Sequence, residues 1–170
     1  MTKTKKLAFN AMLSAMCVAL SYLSLDLGSI KLTLEDLPIL AAALLLGGWS
    51  GGAVGLIGIL ISQLLRYGLT VTTPLWILPH VVCGLIVGFC AQKKGFALST
   101  GRAIGIVTVG ELLVTALNSL ALYVDSKLFG YYTPTLITGM LALRTALAVA
   151  RSAVYGALLP PLLDRLRKKL

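Results

Sequence analysis

The fold class of this chain is decided by residues 103–124, which read AIGIVTVGELLVTALNSLALYV. This run is 22 residues long and contains a single charged side chain, Glu111. A helix needs about 20 mostly apolar residues to cross the hydrocarbon core of a bilayer. The run therefore predicts a membrane-spanning helix with one ionisable group near its middle.

Similar apolar runs follow one another along the whole 170-residue chain. The sequence is 58% apolar, and its charged fraction of 12% is about half of that in soluble domains. This composition excludes an ordinary water-soluble domain, a disordered chain and a coiled coil. We predict an all-α, integral membrane six-helix bundle that forms a single transmembrane domain over residues 1–170. The predicted helices cover residues 7–23, 37–46, 53–65, 75–91, 103–124 and 135–159.

Glycines, prolines and carboxylates mark the predicted ends of these helices. Residues 47–52 contain four glycines and are predicted to form the turn between helices 2 and 3, and Pro160 and Pro161 to disturb the end of helix 6. Segment 37–46 is short for a span, which suits a helix that begins below the membrane surface or leans on its neighbours. Glu35 and Asp36 are predicted to cap this short helix.

The positions of the basic residues predict the orientation of the bundle. The net charge is +9, and ten of the fifteen basic residues lie in the N-terminal tail, the loop after helix 4 and the C-terminal tail. These three segments share one side of a six-span bundle, and short basic segments stay on the cytoplasmic side. Both termini are therefore predicted to be cytoplasmic. Because the charge is explained by topology, we expect the lipid bilayer and no nucleic acid as a partner.

Polar side chains inside the spans are candidate functional residues, because an ionisable group in hydrocarbon costs a few kcal/mol. Depth along each helix follows from the rise of 1.5 Å per residue. Six such side chains fall in the outer half of the bundle, where they predict a substrate-binding pocket open to the outside. They are Gln63, Arg66, Trp76, His80, Asn118 and Arg144.

Three of these residues also have structural interpretations that the sequence leaves open. Trp76 can stack on a ligand or anchor the protein at the membrane interface. Arg66 can grip an anionic ligand group or extend to the outer surface. His80 can contact a ligand, or it can be a hydrogen-bonded polar residue at a contact between two helices.

Two pairs of polar residues lie seven positions apart and so share a helix face. Glu111 and Asn118 lie on helix 5, and Arg144 and Arg151 lie on helix 6. The simplest arrangement opposes these faces, so that Glu111 neutralises Arg144 or Arg151 and the other group faces a cavity. An ion pair that merely holds the two helices together is an equal alternative.

Small residues recur at four-residue spacing on helix 1, around the turn between helices 2 and 3, and on helix 4. Ala11, Ala15 and Ala19 form a smooth stripe on helix 1, which lets another helix approach closely. The commoner use of such a stripe is packing inside the protein's own bundle. We assign that use to three glycine pairs, Gly48/Gly52, Gly51/Gly55 and Gly84/Gly88.

Motifs for enzymatic chemistry are missing from the sequence. It has no Walker motif, no His-Glu-x-x-His and no Gly-x-Ser-x-Gly. One histidine and three scattered cysteines give neither a catalytic metal site nor a disulfide framework. The chain is therefore predicted not to be an enzyme, with no cofactor and no metal.

Three segments of the sequence match a known pattern among membrane proteins. They are LEDLP at 34–38, LLLGGWSGGAVG at 44–55, and the stretch from LWILPH to GLIVG over 75–88. With the size, the six helices, the internal termini and the alanines at 11 and 15, the whole chain resembles the substrate-binding S components of energy-coupling factor (ECF) vitamin transporters.

The resemblance implies a role in uptake across the bacterial cell membrane by a multi-pass protein. An S component captures a vitamin or related micronutrient outside and docks on a transmembrane coupling subunit that carries two ATPase subunits. Ala11, Ala15 and Ala19 would be the docking positions. The segment at helices 2 and 3 is most similar to the folate-type branch, so a folate-like substrate is the first expectation. Hydroxymethylpyrimidine, thiamine-like and queuosine-precursor substrates stay open.

Two other classes of function remain as alternatives. A small multispan scaffold protein of the membrane would need no ligand pocket. A membrane enzyme acting on lipids would depend on Glu111, but the missing catalytic motifs place it last.

Overall fold

The computed structural model describes residues 2–23, 25–26, 31–96 and 98–167. Within these ranges the chain forms six α-helices, which confirms the all-α prediction. One two-residue antiparallel strand pair lies where a loop was predicted, with Leu25 opposite Leu32. Lys168 and Lys169 of the basic C-terminal tail lie outside the described residues. In chain order the elements are α1 (Lys3–Tyr22), β1 (Leu25–Asp26), β2 (Lys31–Leu32), α2 (Asp36–Leu46), α3 (Gly48–Tyr67), α4 (Thr73–Lys93), α5 (Thr100–Leu128) and α6 (Pro134–Arg167).

Four of the described helices are long and apolar enough to cross a membrane. They are α3, α4, α5 and the Pro134–Leu163 part of α6. Neither α1, which carries three lysines in its first four residues, nor α2, which has 11 residues, meets the same criterion. Length and composition thus support four of the six predicted spans.

The short helix α2 lies at the centre of the bundle. Nine of its eleven residues are buried, and it packs against α1, α3, α4 and α6. A helix that is apolar on every side is stable only when other elements surround it. The prediction that this helix leans on its neighbours is therefore confirmed, and the packing carries Asp36 at its first turn into the interior.

The turn between α2 and α3 is tighter than predicted. Helix α3 begins at Gly48, so residues 48–52 are helical and the predicted turn over 47–52 is wrong for these five residues. Gly47 alone makes the break, with φ of +96°, in the left-handed region that favours glycine. Glycine is a poor helix former, but here its low propensity is offset by the packing of α3 against α4.

Glycines let the backbones of α3 and α4 touch. A Cβ atom on Gly84 would lie 2.4 Å from the carbonyl carbon of Gly51, and one on Gly88 would lie 2.4 Å from the Cα of Gly48. Close approach of this kind is the usual role of small residues between membrane helices. The predicted use of the glycine pairs inside the bundle is therefore confirmed.

Substitution of Gly84 by alanine is expected to destabilise the protein by about 1–3 kcal/mol, the usual cost of forcing extra atoms into a filled contact. The measurement is the thermal unfolding of the purified protein in detergent. Gly105→Ala is the matched control, because a Cβ at Gly105 on α5 meets open space. Equal melting temperatures for the two variants would contradict the close contact of α3 and α4.

Helix α6 continues past the two prolines that were predicted to disturb its end. It runs through Pro160 and Pro161 and ends at Arg167 rather than near residue 159. Each proline removes one backbone hydrogen bond from a helix. Leu159 and Leu163 on either side are buried, and their packing holds this last part of α6 in place.

Candidate functional site

A cavity of about 690 Å³ lies among the helices at one end of the bundle. Its lining comes from the C-terminal parts of α1, α3 and α5 and the N-terminal parts of α2, α4 and α6. Because successive helices run in opposite directions, these parts meet at the end away from the start of α1 and the finish of α6. The volume lies within the range of about 300–1,000 Å³ typical of small-molecule sites.

The six side chains that were predicted to bind substrate all line this cavity. The sequence located them only by depth along separate helices, and the fold brings them to one common space. They are Gln63 and Arg66 of α3, Trp76 and His80 of α4, Asn118 of α5 and Arg144 of α6.

At the inner part of the cavity, Arg151 bridges two buried carboxylates. Its Nη2 lies 2.9 Å from Oε2 of Glu111, and its Nη1 lies 3.3 Å from Oδ2 of Asp36. Both carboxylates are almost completely buried. Of the two arginines that could neutralise Glu111, the structure thus selects Arg151 and leaves Arg144 on the cavity wall.

The register between α5 and α6 follows from two contacts. The Glu111–Arg151 pair is one, and the hydrogen bond between the hydroxyls of Thr108 and Ser152 (2.8 Å) is the other. In this antiparallel pair, Asn118 lies seven residues beyond Glu111, and Arg144 lies seven residues before Arg151. Both are therefore at the same level, about 10 Å outward from the ion pair at 1.5 Å per residue.

His80 connects α4 to the acidic start of α2. Its Nε2 lies 3.5 Å from Oδ1 of Asp36 and 3.9 Å from Oε1 of Glu35. Its Nδ1 lies 3.2 Å from the backbone carbonyl oxygen of Trp76. A backbone carbonyl oxygen only accepts hydrogen bonds, so Nδ1 of His80 is the donor to Trp76.

Glu35 is the carboxylate that a ligand in the cavity can reach, since 19% of its side chain is exposed compared with 3% for Asp36. The hydroxyl of Thr33 donates to its Oε1 at 3.0 Å. Burial raises the pKa of Glu35, and although His80 opposes this rise, the nearby Asp36 adds to it. Among the described residues, the carboxylate of Glu35 makes no hydrogen bond besides that with Thr33, so its second oxygen can accept one from a ligand.

Two further cavity side chains already have partners within the protein. The Nη2 of Arg66 donates to the carbonyl of Ser21, and its guanidinium lies 4.9 Å from the centroid of the Tyr22 ring. Arg66 thus fastens α3 to the end of α1. The hydroxyl of Tyr131 donates to Asp125, and burial together with this bond raises the pKa of Tyr131 to about 12.

Sequence comparison identifies the family. A model described as the S component of an ECF-type riboflavin transporter matches residues 1–159. This chain belongs to that family of S components. The resemblance predicted from the sequence is therefore confirmed, and so is the prediction that the chain is not an enzyme. The matched model is of the riboflavin type, and the folate-type branch stays a prediction. A search of curated protein sequences finds no match.

Solved structures of S components share the fold of this S component at low sequence identity, which makes them a guide to fold alone. The S component of a bacterial ECF transporter has a TM-score of 0.71 at 20% identity, covering 97% of this chain and 99% of that one. ThiT from Listeria monocytogenes has a TM-score of 0.71 at 20% identity, with coverage of 98% and 97%. The S component for biotin from an ECF-type ABC transporter has a TM-score of 0.72 at 19% identity, with coverage of 99% and 95%.

Asp36 and Glu35 are the site residues of this S component that sequence reasoning assigned to another role. They were predicted to cap α2, but the side chain of Glu35 makes no capping hydrogen bond, and Asp36 pairs with Arg151. The sequence did contain an indication of this role. A helix that begins below the membrane surface carries the charged residue at its start, here Asp36, into the interior. The rule that selected Glu111 would then have selected Asp36 as well.

The alanine stripe of this S component faces away from the bundle. Ala11, Ala15 and Ala19 are all exposed, whereas Leu13 and Cys17 on the other face of α1 are buried. Packing against the chain's own described helices is therefore not the use of this stripe, although it is the commoner one.

Proposed function

We propose that this S component captures a vitamin-like molecule in its cavity on the outer side of the cell membrane and delivers it for ATP-driven uptake. The observation that carries the proposal is the cavity itself, in which six polar or aromatic side chains from α3 to α6 converge. Charged and hydroxyl side chains line this cavity together with aromatic and aliphatic ones, which suits a small molecule that carries several polar groups.

The outward orientation of the cavity is supported by the positions of the basic residues. Three lysines begin α1, and Lys93, Lys94 and Arg102 flank the connection from α4 to α5. Both groups lie at the end of the bundle away from the cavity. By the positive-inside rule this end is cytoplasmic, so both termini are inside in a single multi-pass transmembrane domain over residues 1–170.

A flat ring system suits the walls of the cavity. Trp76 is half-buried and lines the space together with the apolar side chains of Ile59, Val114 and Leu147. Aromatic rings stack on such surfaces. A folate-like molecule is our first candidate, and hydroxymethylpyrimidine, thiamine-like and queuosine-precursor molecules are the others. Riboflavin joins them because of the family model.

Delivery requires a docking surface, which we assign to the stripe of Ala11, Ala15 and Ala19. The three alanines are exposed and form a smooth face, against which a helix of another protein can pack closely. We propose a transmembrane coupling subunit with two ATPase subunits as the partner. A scaffold protein without a ligand, the alternative function, gives no reason for the converging cavity side chains.

Ligand binding by the purified protein tests the capture role. We expect one of riboflavin, folate, thiamine, biotin and hydroxymethylpyrimidine to bind with one molecule per chain in calorimetric titrations. Trp76→Ala should weaken this binding by about fivefold or more, since stacking on an aromatic side chain is worth roughly 1–3 kcal/mol. Trp49→Ala is the matched control, because Trp49 is 73% exposed and does not line the cavity. Equal effects of the two variants would contradict the assignment of the cavity.

A further inference from the structure

The arginines that line the cavity differ in their partners. Arg151 is held by Asp36 and Glu111, and Arg66 by the carbonyl of Ser21. Arg144 lines the same cavity but makes no hydrogen bond or ion pair with any residue that the structure describes. A half-buried guanidinium without a partner is costly in a membrane protein, and an anionic group of a ligand would compensate it.

The inner wall of the cavity carries a hydrogen-bond acceptor, in contrast to the cationic donor Arg144. Glu35 is accessible from the cavity, and its carboxylate has about four lone-pair sites, of which Thr33 occupies one. His80, at 3.9 Å, is too distant to occupy another. A ligand that offers two neighbouring N–H groups would therefore find acceptors here.

The separation between these two features follows from the geometry of α6. Arg151 lies beside the inner wall, with Nη1 3.5 Å from the carbonyl of Thr33 and 3.3 Å from Asp36. Arg144 lies seven residues earlier on the same helix face, about 10 Å further out. Asn118 on α5 is at the same level and also lines the cavity.

We propose that the captured molecule is an anion with a flat heterocycle, whose N–H-donating edge faces Glu35 and whose carboxylate or phosphate pairs with Arg144. Arg144 lies about 10 Å along α6 from Arg151, which contacts the inner wall at the carbonyl of Thr33. The proposal rests on the capture function proposed above and specifies its ligand. A pterin with an acidic substituent has these features, because its amino group and ring N–H form the donor edge.

The test uses two compounds that differ in the anionic group alone. These are 6-carboxypterin and 6-hydroxymethylpterin, titrated calorimetrically into the full chain in detergent. We expect the wild-type protein to prefer the carboxylate by about tenfold or more, the effect of one charge-assisted contact. Arg144→Gln should remove this preference and leave the affinity for 6-hydroxymethylpterin within about twofold.

Two further variants separate the roles of the residues. Arg102→Gln removes an exposed arginine outside the cavity and should retain the wild-type preference. Glu35→Gln should weaken both pterins by a similar factor, because both carry the same donor edge. Thiamine and thiamine monophosphate form a second pair, in which a preference for the phosphate that Arg144→Gln removes would extend the proposal to phosphate.

Several outcomes would overturn this ligand class. They are equal affinity for both pterins, a preference that survives Arg144→Gln, and failure of both pterins to bind. If riboflavin or biotin binds where the pterins do not, the capture function stands and only the ligand class is wrong. If none of the compounds binds and the protein also forms no complex with a coupling subunit, both proposals are wrong.

Discussion

Replacement of Arg151 by methionine is expected to lower the free energy of unfolding by about 3–5 kcal/mol, because it leaves two buried carboxylates without their cation. Glu111 is fully buried and Asp36 is 2% exposed, so water replaces the lost contacts poorly. The measurement is the unfolding transition of the purified protein in detergent, together with the yield of folded protein from membranes.

Arg144→Met is the matched control for this prediction. It makes the same chemical change on the same face of α6, but at a position without a protein partner among the described residues. We expect it to leave stability unchanged or to raise it, because it removes a half-buried charge that has no partner among the described residues. Combining Arg151→Met with Asp36→Asn and Glu111→Gln should recover part of the loss, because neutral amides cost less to bury than charges. An Arg151→Met variant as stable as the wild type would show that the three groups do not form a network.

Replacement of Ala15 by tryptophan is expected to abolish uptake while leaving ligand binding intact. Ala15 is in the middle of the exposed stripe on α1, and an indole there would keep a partner helix from close approach. The residues that line the cavity do not include this stripe, so the affinity of the protein for its ligand should not change. The measurements are uptake of the bound compound by cells that also produce the coupling and ATPase subunits, and calorimetric binding to the purified variant.

Ala153→Trp serves as the control, since Ala153 is an exposed alanine on α6, away from the stripe. It should support uptake at the wild-type rate. Uptake that persists in Ala15→Trp at the rate seen in Ala153→Trp would rule out the stripe as the docking surface. A loss of ligand binding in Ala15→Trp would instead indicate damage to the fold.

The number and order of the helices could be predicted because each depends on a local run of apolar residues. The start of α3 could not, because the helical residues 48–52 include three glycines that pack closely against α4. Glycine propensity is a local property that predicts a turn, whereas the packing that overrides it joins positions more than thirty residues apart. The continuation of α6 through its prolines has the same origin in tertiary packing.

The side chains of the candidate site could also be predicted from the sequence, but the contacts among them could not. Depth along a helix is a local count, which is why the six predicted side chains all line one cavity. The choice of Arg151 over Arg144 as the partner of Glu111 depends on the register of α5 against α6, which no local pattern specifies. The role of Asp36 depends on where four other helices place α2.

The position of Asp36 has a consequence for how such a receptor can diversify. This carboxylate belongs to α2, faces Arg151 of α6 and lies beside His80 of α4, so one side chain ties three segments together. Substrate preference can therefore change through substitutions at positions 118 and 144 of the outer rim, because these leave the contacts of Asp36 intact. Relatives that keep the inner triad of 36, 111 and 151 but differ at the rim should share the scaffold and import different compounds.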